Sequence, residues 1–218
     1  MAQIKFAEYT MSNDSNVLPI LTPGTISTVV EDVVGTSSTK RTVYIDDATL
    51  PTKISFKNAT GLLTLDYLHF TNTITSMYEM FSGCINMTAI DTTGWDTSSV
   101  TDMSNAFSYC RQLTEIDVSN FITDNLTNLA HAFASCNRIG VFDLSSFNVD
   151  NVTNMKNLFA NIGANVIINL SNWNLKIEPD LFVNLNSGVT VLMYNTTSTS
   201  ISNLLKGSDV RGTIYVYG

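Results

Sequence analysis

The chain has 218 residues, 44% of them hydrophobic and only 14% charged, and its formal net charge is −8. This composition excludes a disordered tail, and the negative charge disfavours nucleic acid as a partner because its recognition needs a basic patch. No stretch reaches the roughly 18 consecutive apolar residues of a membrane span, and residues 1–10 lack the basic leader and apolar core of a signal peptide.

The N-terminal part of the chain does not follow the pattern of the rest. Residues 1–40 predict an N-terminal arm or docking segment, either extended or a small β element, with a turn at Pro23-Gly24. Residues 41–70 predict an N-terminal cap and a first partial repeat, because the runs 42–45 and 63–70 resemble strands.

Residues 71–175 consist of four regular blocks with an identical spacing of 26 residues and no insertion or deletion. A fixed period of this length is the signature of a repeat architecture. Three columns are the most informative: a phenylalanine column (Phe81, Phe107, Phe133 and Phe159), a cysteine column (Cys84, Cys110 and Cys136) and an acidic column (Asp91, Asp117 and Asp143).

Each block predicts a helix followed by a short strand. Met77, Met80, Phe81 and Cys84 stand at i, i+3, i+4 and i+7, which is one face of a helix. The strand is indicated by alternation, as over residues 113–118. One block buries too little to fold alone, so neighbouring blocks must stack. Strands stack about 4.8 Å apart and helices about 8–10 Å apart, and this difference would make the strand side concave.

Residues 176–218 predict degenerate repeats and a C-terminal cap, with helices near 180–185 and 201–205 and strands over 189–194 and 213–217. The predicted fold is therefore a leucine-rich-repeat-like α/β solenoid. It is a right-handed array of 26-residue strand-helix units with parallel strands, capped at both ends.

The block Val100–Phe121 resembles the BspA-like leucine-rich repeat family. The shared marks are V-T-x-M-x-x-x-F-x-x-C followed by L-T-x-I-D-h-S-x-F, and the resemblance covers residues 62–175 well and 176–218 weakly. It implies an adhesion-type surface repeat, since members of that family are mostly bacterial surface proteins. The repeat also occurs in proteins of phage origin, which implies a role in a tail or head appendage.

The repeated columns favour structure over catalysis. The cysteines are expected to be buried free thiols that pack as small hydrophobic groups. The acidic column leaves three interpretations open: carboxylates that cap the following turn through backbone N–H groups, calcium binding, or direct contact with a partner. No nucleophile elbow, metalloprotease helix or phosphate-binding glycine loop is present. We therefore expect no enzyme activity, cofactor or metal.

The first functional hypothesis is a surface-exposed binding or structural module on a larger assembly, specifically a phage virion, in its tail or head. Residues 1–40 would dock to other virion or surface-assembly proteins, and the repeats would bind a protein or a surface glycan, with homo-oligomers expected on a symmetric particle. The alternative is a bacterial cell-surface adhesin. The partner-binding positions predicted on the concave strand side are Ala89, Asp91, Glu115, Asp117, Val141 and Asp143.

Overall fold

The computed structural model describes residues 3–22, 29–46, 50–175, 181–184, 186–194 and 213–217. These residues form eleven strands and no helix. The strands are β1 (Gln3–Ser12), β2 (Ile20–Thr22), β3 (Val29–Val34), β4 (Ser38–Asp46), β5 (Lys53–Ser55), β6 (Leu62–Leu68), β7 (Ala89–Ile90), β8 (Val141–Asp143), β9 (Ile167–Asn169), β10 (Thr190–Tyr194) and β11 (Thr213–Tyr217).

The strands belong to three small sheets. The largest has the order β3-β4-β1-β6-β7, in which only the β6–β7 pair is parallel. A second sheet has the order β11-β10-β9-β8 and is parallel throughout, while β2 and β5 form an antiparallel pair. Most of the described residues therefore lie outside the strands, in turns and irregular segments.

The predicted leucine-rich-repeat-like α/β solenoid is wrong. Its strand-helix unit does not exist among the described residues, because no helix follows any of the strands there. The strands instead form small sheets of mixed and antiparallel pairing at the N-terminal end and a separate sheet at the other end. The predicted concave strand side loses its basis as well, since it depended on helices that stack more widely than strands.

Two consecutive turns replace each predicted helix. Met80 N–H donates to the carbonyl of Met77 at 3.0 Å, and Cys84 N–H donates to that of Phe81 at 3.1 Å. Each turn has a positive φ at its third residue, 55° at Glu79 and 77° at Gly83, which a helix does not allow. The first and last residues of the two turns are the four apolar positions. Two turns in series therefore produce the i, i+3, i+4, i+7 spacing that also characterises a helix.

The backbone hydrogen bonds of these turns run between blocks. The N–H groups of Met77, Glu79, Phe81 and Gly83 donate to carbonyls 25 residues later, at 2.7–3.0 Å. A helix would have used the same N–H groups internally. Isolated parallel bridges join residues 26 apart: Ser76 to Asp102, Asp102 to Asn128 and Asn128 to Asn154. The turn segments of the four blocks thus lie side by side at strand-like spacing.

The core follows the aromatic columns. Phe81, Phe107 and Phe133 are fully buried, and their rings stack with centroids 5.5 and 5.6 Å apart. Phe56 precedes this column at 5.4 Å and Phe159 continues it at 6.2 Å. Identical residues in successive blocks therefore pack on one another, which explains why the four blocks keep an identical spacing of 26 residues.

The N-terminal segment contributes strands to the largest sheet. β1 lies between β4 and β6 in the largest sheet. The side chains of Phe6 and Tyr9 are fully buried, and Tyr9 packs edge-on against Phe56 with centroids 5.6 Å apart. Removing residues 1–40 would therefore expose side chains of the core.

Several predicted strands outside the regular blocks are confirmed: β4 and β11 cover the runs 42–45 and 213–217, and β6 and β10 cover most of the runs 63–70 and 189–194. The strand expected over residues 113–118 is absent. Residues 181–184 carry no helix, and the predicted helix at 201–205 and the turn at Pro23-Gly24 lie outside the described residues.

Candidate functional site

The six predicted partner-binding residues are all exposed. Ala89 lies in β7, and Val141 and Asp143 lie at the two ends of β8. Glu115 and Asp117 belong to the intervening segment, which forms no strand. The structure therefore places all six side chains in solvent, but on the edges of two sheets and the segment between them.

Strand register extends this set into a strip. Val141 and Asp143 pair with Ile167 and Asn169 in β9. Val141 is 54% exposed and its partner Ile167 is 40% exposed. The exposed apolar surface at Val141 therefore extends to Ile167, which was not among the predicted residues. We call the six predicted residues and Ile167 the binding strip. Sequence reasoning missed Ile167, although the repeat places it in the column of Ala89, Glu115 and Val141.

The acidic column caps turns, which confirms the first of its three interpretations. One oxygen of each carboxylate accepts the backbone N–H two residues later: Asp91 from Thr93 at 2.8 Å, Asp117 from Ser119 at 2.9 Å and Asp143 from Ser145 at 3.0 Å. Asn169 does the same with Ser171 at 3.1 Å. The side-chain oxygen, rather than the charge, is what the turn requires.

The same contacts determine how these carboxyl groups titrate. The side chain and the backbone N–H of Ser119 both donate to Asp117 and lower its pKa. Burial acts in the opposite direction on Asp143, but hydrogen bonds from Ser145 and Asn169 outweigh it and its pKa is also lowered. Both side chains are therefore charged at neutral pH, and the strip carries negative charge.

Replacing Asp117 by alanine should lower the free energy of unfolding by about 1 kcal/mol, the typical cost of losing a capping side chain. Replacing it by asparagine should change stability by less than about 0.5 kcal/mol, because the amide oxygen retains the bond, as at Asn169. Urea denaturation of the two variants measures the difference. Equal losses in both would contradict a capping role.

The cysteine column consists of buried free thiols, as expected. Each Sγ–H donates to a phenylalanine carbonyl of the preceding block, at 3.1 Å from Cys84 to Phe56 and 3.2 Å from Cys110 to Phe81. Burial raises the pKa of the Cys84 and Cys136 thiols to about 12. These groups are therefore protonated packing groups rather than nucleophiles.

An exposed apolar edge strand is a second feature that sequence reasoning missed. β3 ends the largest sheet, and Val33 and Val34 are each 72% exposed. The signal was available in the sequence as the run Val29-Val-Glu-Asp-Val-Val34. Asp32 of this strand pairs with Arg41 of β4 at 2.6 Å, which fixes the strand to its neighbour.

Neither a metal-binding cluster nor a membrane-spanning helix is found in the described part of the chain. It contains no group of three or more histidine, cysteine, aspartate or glutamate side chains placed to hold a metal ion. It also contains no helix with the length and hydropathy needed to cross a membrane.

Comparison with known proteins gives one family. Residues 75–187, slightly more than half of the 218-residue chain, match the family described as Mycoplasma protein of unknown function, DUF285. Searches of the curated proteins and of the solved structures find no match. The matched range begins within the first regular block and ends after the last one, so it includes nearly all of the repeated region, residues 71–175. The chain belongs to the DUF285 family.

Proposed function

We propose that the chain is a non-enzymatic, surface-exposed binding or structural module on a larger assembly. The assembly is a phage virion, with the module in its tail or head and the binding strip directed toward a protein or surface glycan ligand. The observation that carries this proposal is the strip itself, a set of aligned, exposed side chains beside β7 and β8. The resemblance of residues 100–121 to BspA-like repeats supports an adhesion-type role.

The charges of the strip indicate the kind of partner. Ion pairs among the described residues use the carboxylates of Glu8, Asp32, Asp66 and Glu79. Asp91, Glu115, Asp117 and Asp143 have no lysine or arginine within ion-pair distance in that part of the chain, and Val141 and Ile167 adjoin them. Such a surface complements a partner with basic side chains next to apolar ones.

The attachment of the module is proposed through residues 1–40. β3 lies in this segment, is the edge strand of its sheet among the described residues, and has two exposed valines. An apolar edge strand of this kind pairs readily with a strand of another chain. The edge faces away from β7, so attachment there leaves the strip accessible.

Reversing the charge of the strip should abolish binding. The variant Glu115→Lys/Asp117→Lys is expected to reduce binding of the labelled protein to intact host cells at least tenfold, measured by flow cytometry. The control Asp14→Lys/Asp124→Lys changes the net charge equally at exposed positions outside the strip. Unchanged binding by the first variant, or equal loss in both, would refute the choice of residues.

Changing the edge strand should prevent attachment without unfolding the module. Val33→Lys/Val34→Lys is expected to leave the circular dichroism spectrum and melting temperature unchanged, but to reduce co-sedimentation with particles to background. Ile85→Lys/Ile122→Lys, which alters exposed apolar residues elsewhere, should co-sediment normally. Incorporation of the edge variant at wild-type levels would contradict docking through residues 1–40.

A bacterial cell-surface adhesin is the second candidate, and the family description favours it because it refers to a cellular organism. Fractionation of the native host separates the two. Recovery in purified particles supports the virion module, whereas recovery on cell envelopes without particles supports the adhesin.

A further inference from the structure

Two strands, β3 and β11, lie at the outer edges of the two larger sheets. Among the described residues, β3 ends the five-stranded sheet and β11 ends the four-stranded parallel sheet, so each has one neighbouring strand rather than two. The other edges of these sheets are β7 and β8, and the strand-free segment of the second block lies between them in the sequence. An edge strand has a row of backbone N–H and C=O groups that its own sheet does not use, and another strand is the natural complement of such a row.

Neither edge has the features that usually block strand pairing. β3 pairs with β4 over six residues and β11 pairs with β10 over five, both without a shift in register, whereas the register of β1 shifts against each of its neighbours. The two strands contain no lysine and no proline, the residues that most often protect an edge. Val33 and Val34 of β3 are each 72% exposed, and Tyr215 of β11 is 46% exposed. Both edges are therefore regular and carry exposed apolar side chains.

The charges of β3 decide which strand can pair with it. Glu31 and Asp32 lie at its centre. Two copies of β3 that paired antiparallel about their centres would place Glu31 of each copy opposite Asp32 of the other, and like charges directly opposite each other are destabilising. β11 has no charged residue, so its pairing with β3 avoids this repulsion.

The carboxylates of β3 already have partners on the inner side. Arg41 donates to Asp32 through two bonds of 2.6 and 2.7 Å, and the hydroxyl of Tyr44 donates to Glu31 at 3.2 Å. Arg41 and Tyr44 both belong to β4, the inner neighbour of β3. A strand on the outer side of β3 therefore does not need to supply a counter-charge, which suits the uncharged β11.

We propose that β3 of one copy of the chain pairs with β11 of a second copy, so that the copies join head to tail. The contact would continue the five-stranded sheet of one copy into the four-stranded sheet of the next. Because the two edges differ, every open oligomer keeps one β3 edge and one β11 edge, and further copies can add. The inference rests on the proposed attachment through residues 1–40, and it names another copy of the chain as the partner of the β3 edge.

The expected association is weak in solution. A pairing of five or six residues makes a small interface, and small interfaces are typical of transient contacts. We expect a dissociation constant of roughly 0.1–1 mM. On an assembly that holds several copies close together, the higher effective concentration would make the same contact persistent.

The experiment is sedimentation equilibrium of the purified full chain at about 10 µM and at about 1 mM. The wild type should be monomeric at the lower concentration and form dimers and longer oligomers at the higher one. Val33→Lys/Val34→Lys blocks β3 and Tyr215→Lys blocks β11, so each variant should remain monomeric at both concentrations. Tyr109→Lys changes a tyrosine that is 47% exposed and lies outside the strands, and this matched control should associate like the wild type.

A mixture of the two edge variants distinguishes a head-to-tail contact from a two-fold one. The β3 variant keeps an intact β11, and the β11 variant keeps an intact β3. An equimolar mixture should therefore form dimers, and the mass should not rise beyond that of a dimer. A contact between two identical edges would instead leave one of the variants associating by itself.

Three results would overturn the proposal: a wild type that remains monomeric at the higher concentration, association of either edge variant alone, or a mixture without dimers. If Tyr215→Lys lowers the melting temperature, Thr213→Lys replaces it, because Thr213 is a second exposed position in β11. The proposed function fails by a different measurement. Loss of particle co-sedimentation by the Val33→Lys/Val34→Lys variant, together with a monomeric wild type, would support attachment through residues 1–40 but exclude a second copy as the partner.

Discussion

Replacing Gly163 by alanine should lower the free energy of unfolding by about 3 kcal/mol, the upper range for forcing an extra methyl group into a packed interior. A Cβ at Gly163 would lie 2.3 Å from the carbonyl oxygen of Asn137, which occupies the equivalent position one block earlier. The obstacle is backbone rather than a flexible side chain, so the two blocks must separate. Because the turns are hydrogen-bonded from one block to the next, this separation would also weaken the bonds between neighbouring blocks.

Gly140 provides the matched control for this variant. Its added Cβ would meet no atom within 4 Å. Gly140→Ala should therefore leave the free energy of unfolding unchanged, or raise it by about 0.4–1 kcal/mol because alanine lowers the conformational entropy of the unfolded chain. Urea denaturation of both variants gives the comparison. A loss at Gly163 no larger than at Gly140 would mean that the close approach between blocks does not limit packing.

Raising the pH from 7 to 10 should destabilise the protein through its cysteine column by about 3 kcal/mol. Burial raises the pKa values of Cys84 and Cys136 to about 12, from the ordinary thiol value of about 9. Between pH 9 and 12 the unfolded chain therefore releases protons that the folded chain keeps. The contribution of each thiol to the free energy of unfolding is fully present below pH 9 and falls by roughly 1 kcal/mol for each further pH unit up to about pH 12.

The variant Cys84→Ser/Cys110→Ser/Cys136→Ser isolates this contribution. Serine retains a donor for the phenylalanine carbonyls but does not titrate in this range, while every lysine and tyrosine of the chain is unchanged. The free energy of unfolding, measured under reducing conditions at pH 7, 9 and 10, should fall much less steeply in the variant. Parallel pH profiles would show that the thiols do not contribute.

Part of the structure could be predicted because it depends on local pattern. The strands β4, β6, β10 and β11 were expected from runs of alternating or β-branched residues, and the turn caps of Asp91, Asp117 and Asp143 from residue type and position. The exposure of these aspartates could be read from the same alternation. Helices could not be excluded in this way, because apolar residues at 77, 80, 81 and 84 fit one helical face and two consecutive turns equally well.

The choice between helix and turns depends on hydrogen bonds to another block. An N–H group at Met77 or Phe81 can donate within a helix or to the carbonyl of residue 102 or 106, and only the presence of the neighbouring block decides between them.

Residue types at a fixed spacing were enough to predict the 26-residue period and the buried columns of Phe81 and Cys84, and they offered the aspartate caps as one of three interpretations. Tertiary structure decided that the blocks are joined through turns, that β1 completes the N-terminal sheet, and that Val33 and Val34 are left at an open edge. These features depend on which distant backbone groups meet, and hydrogen-bond partners distant in the sequence leave no local signal.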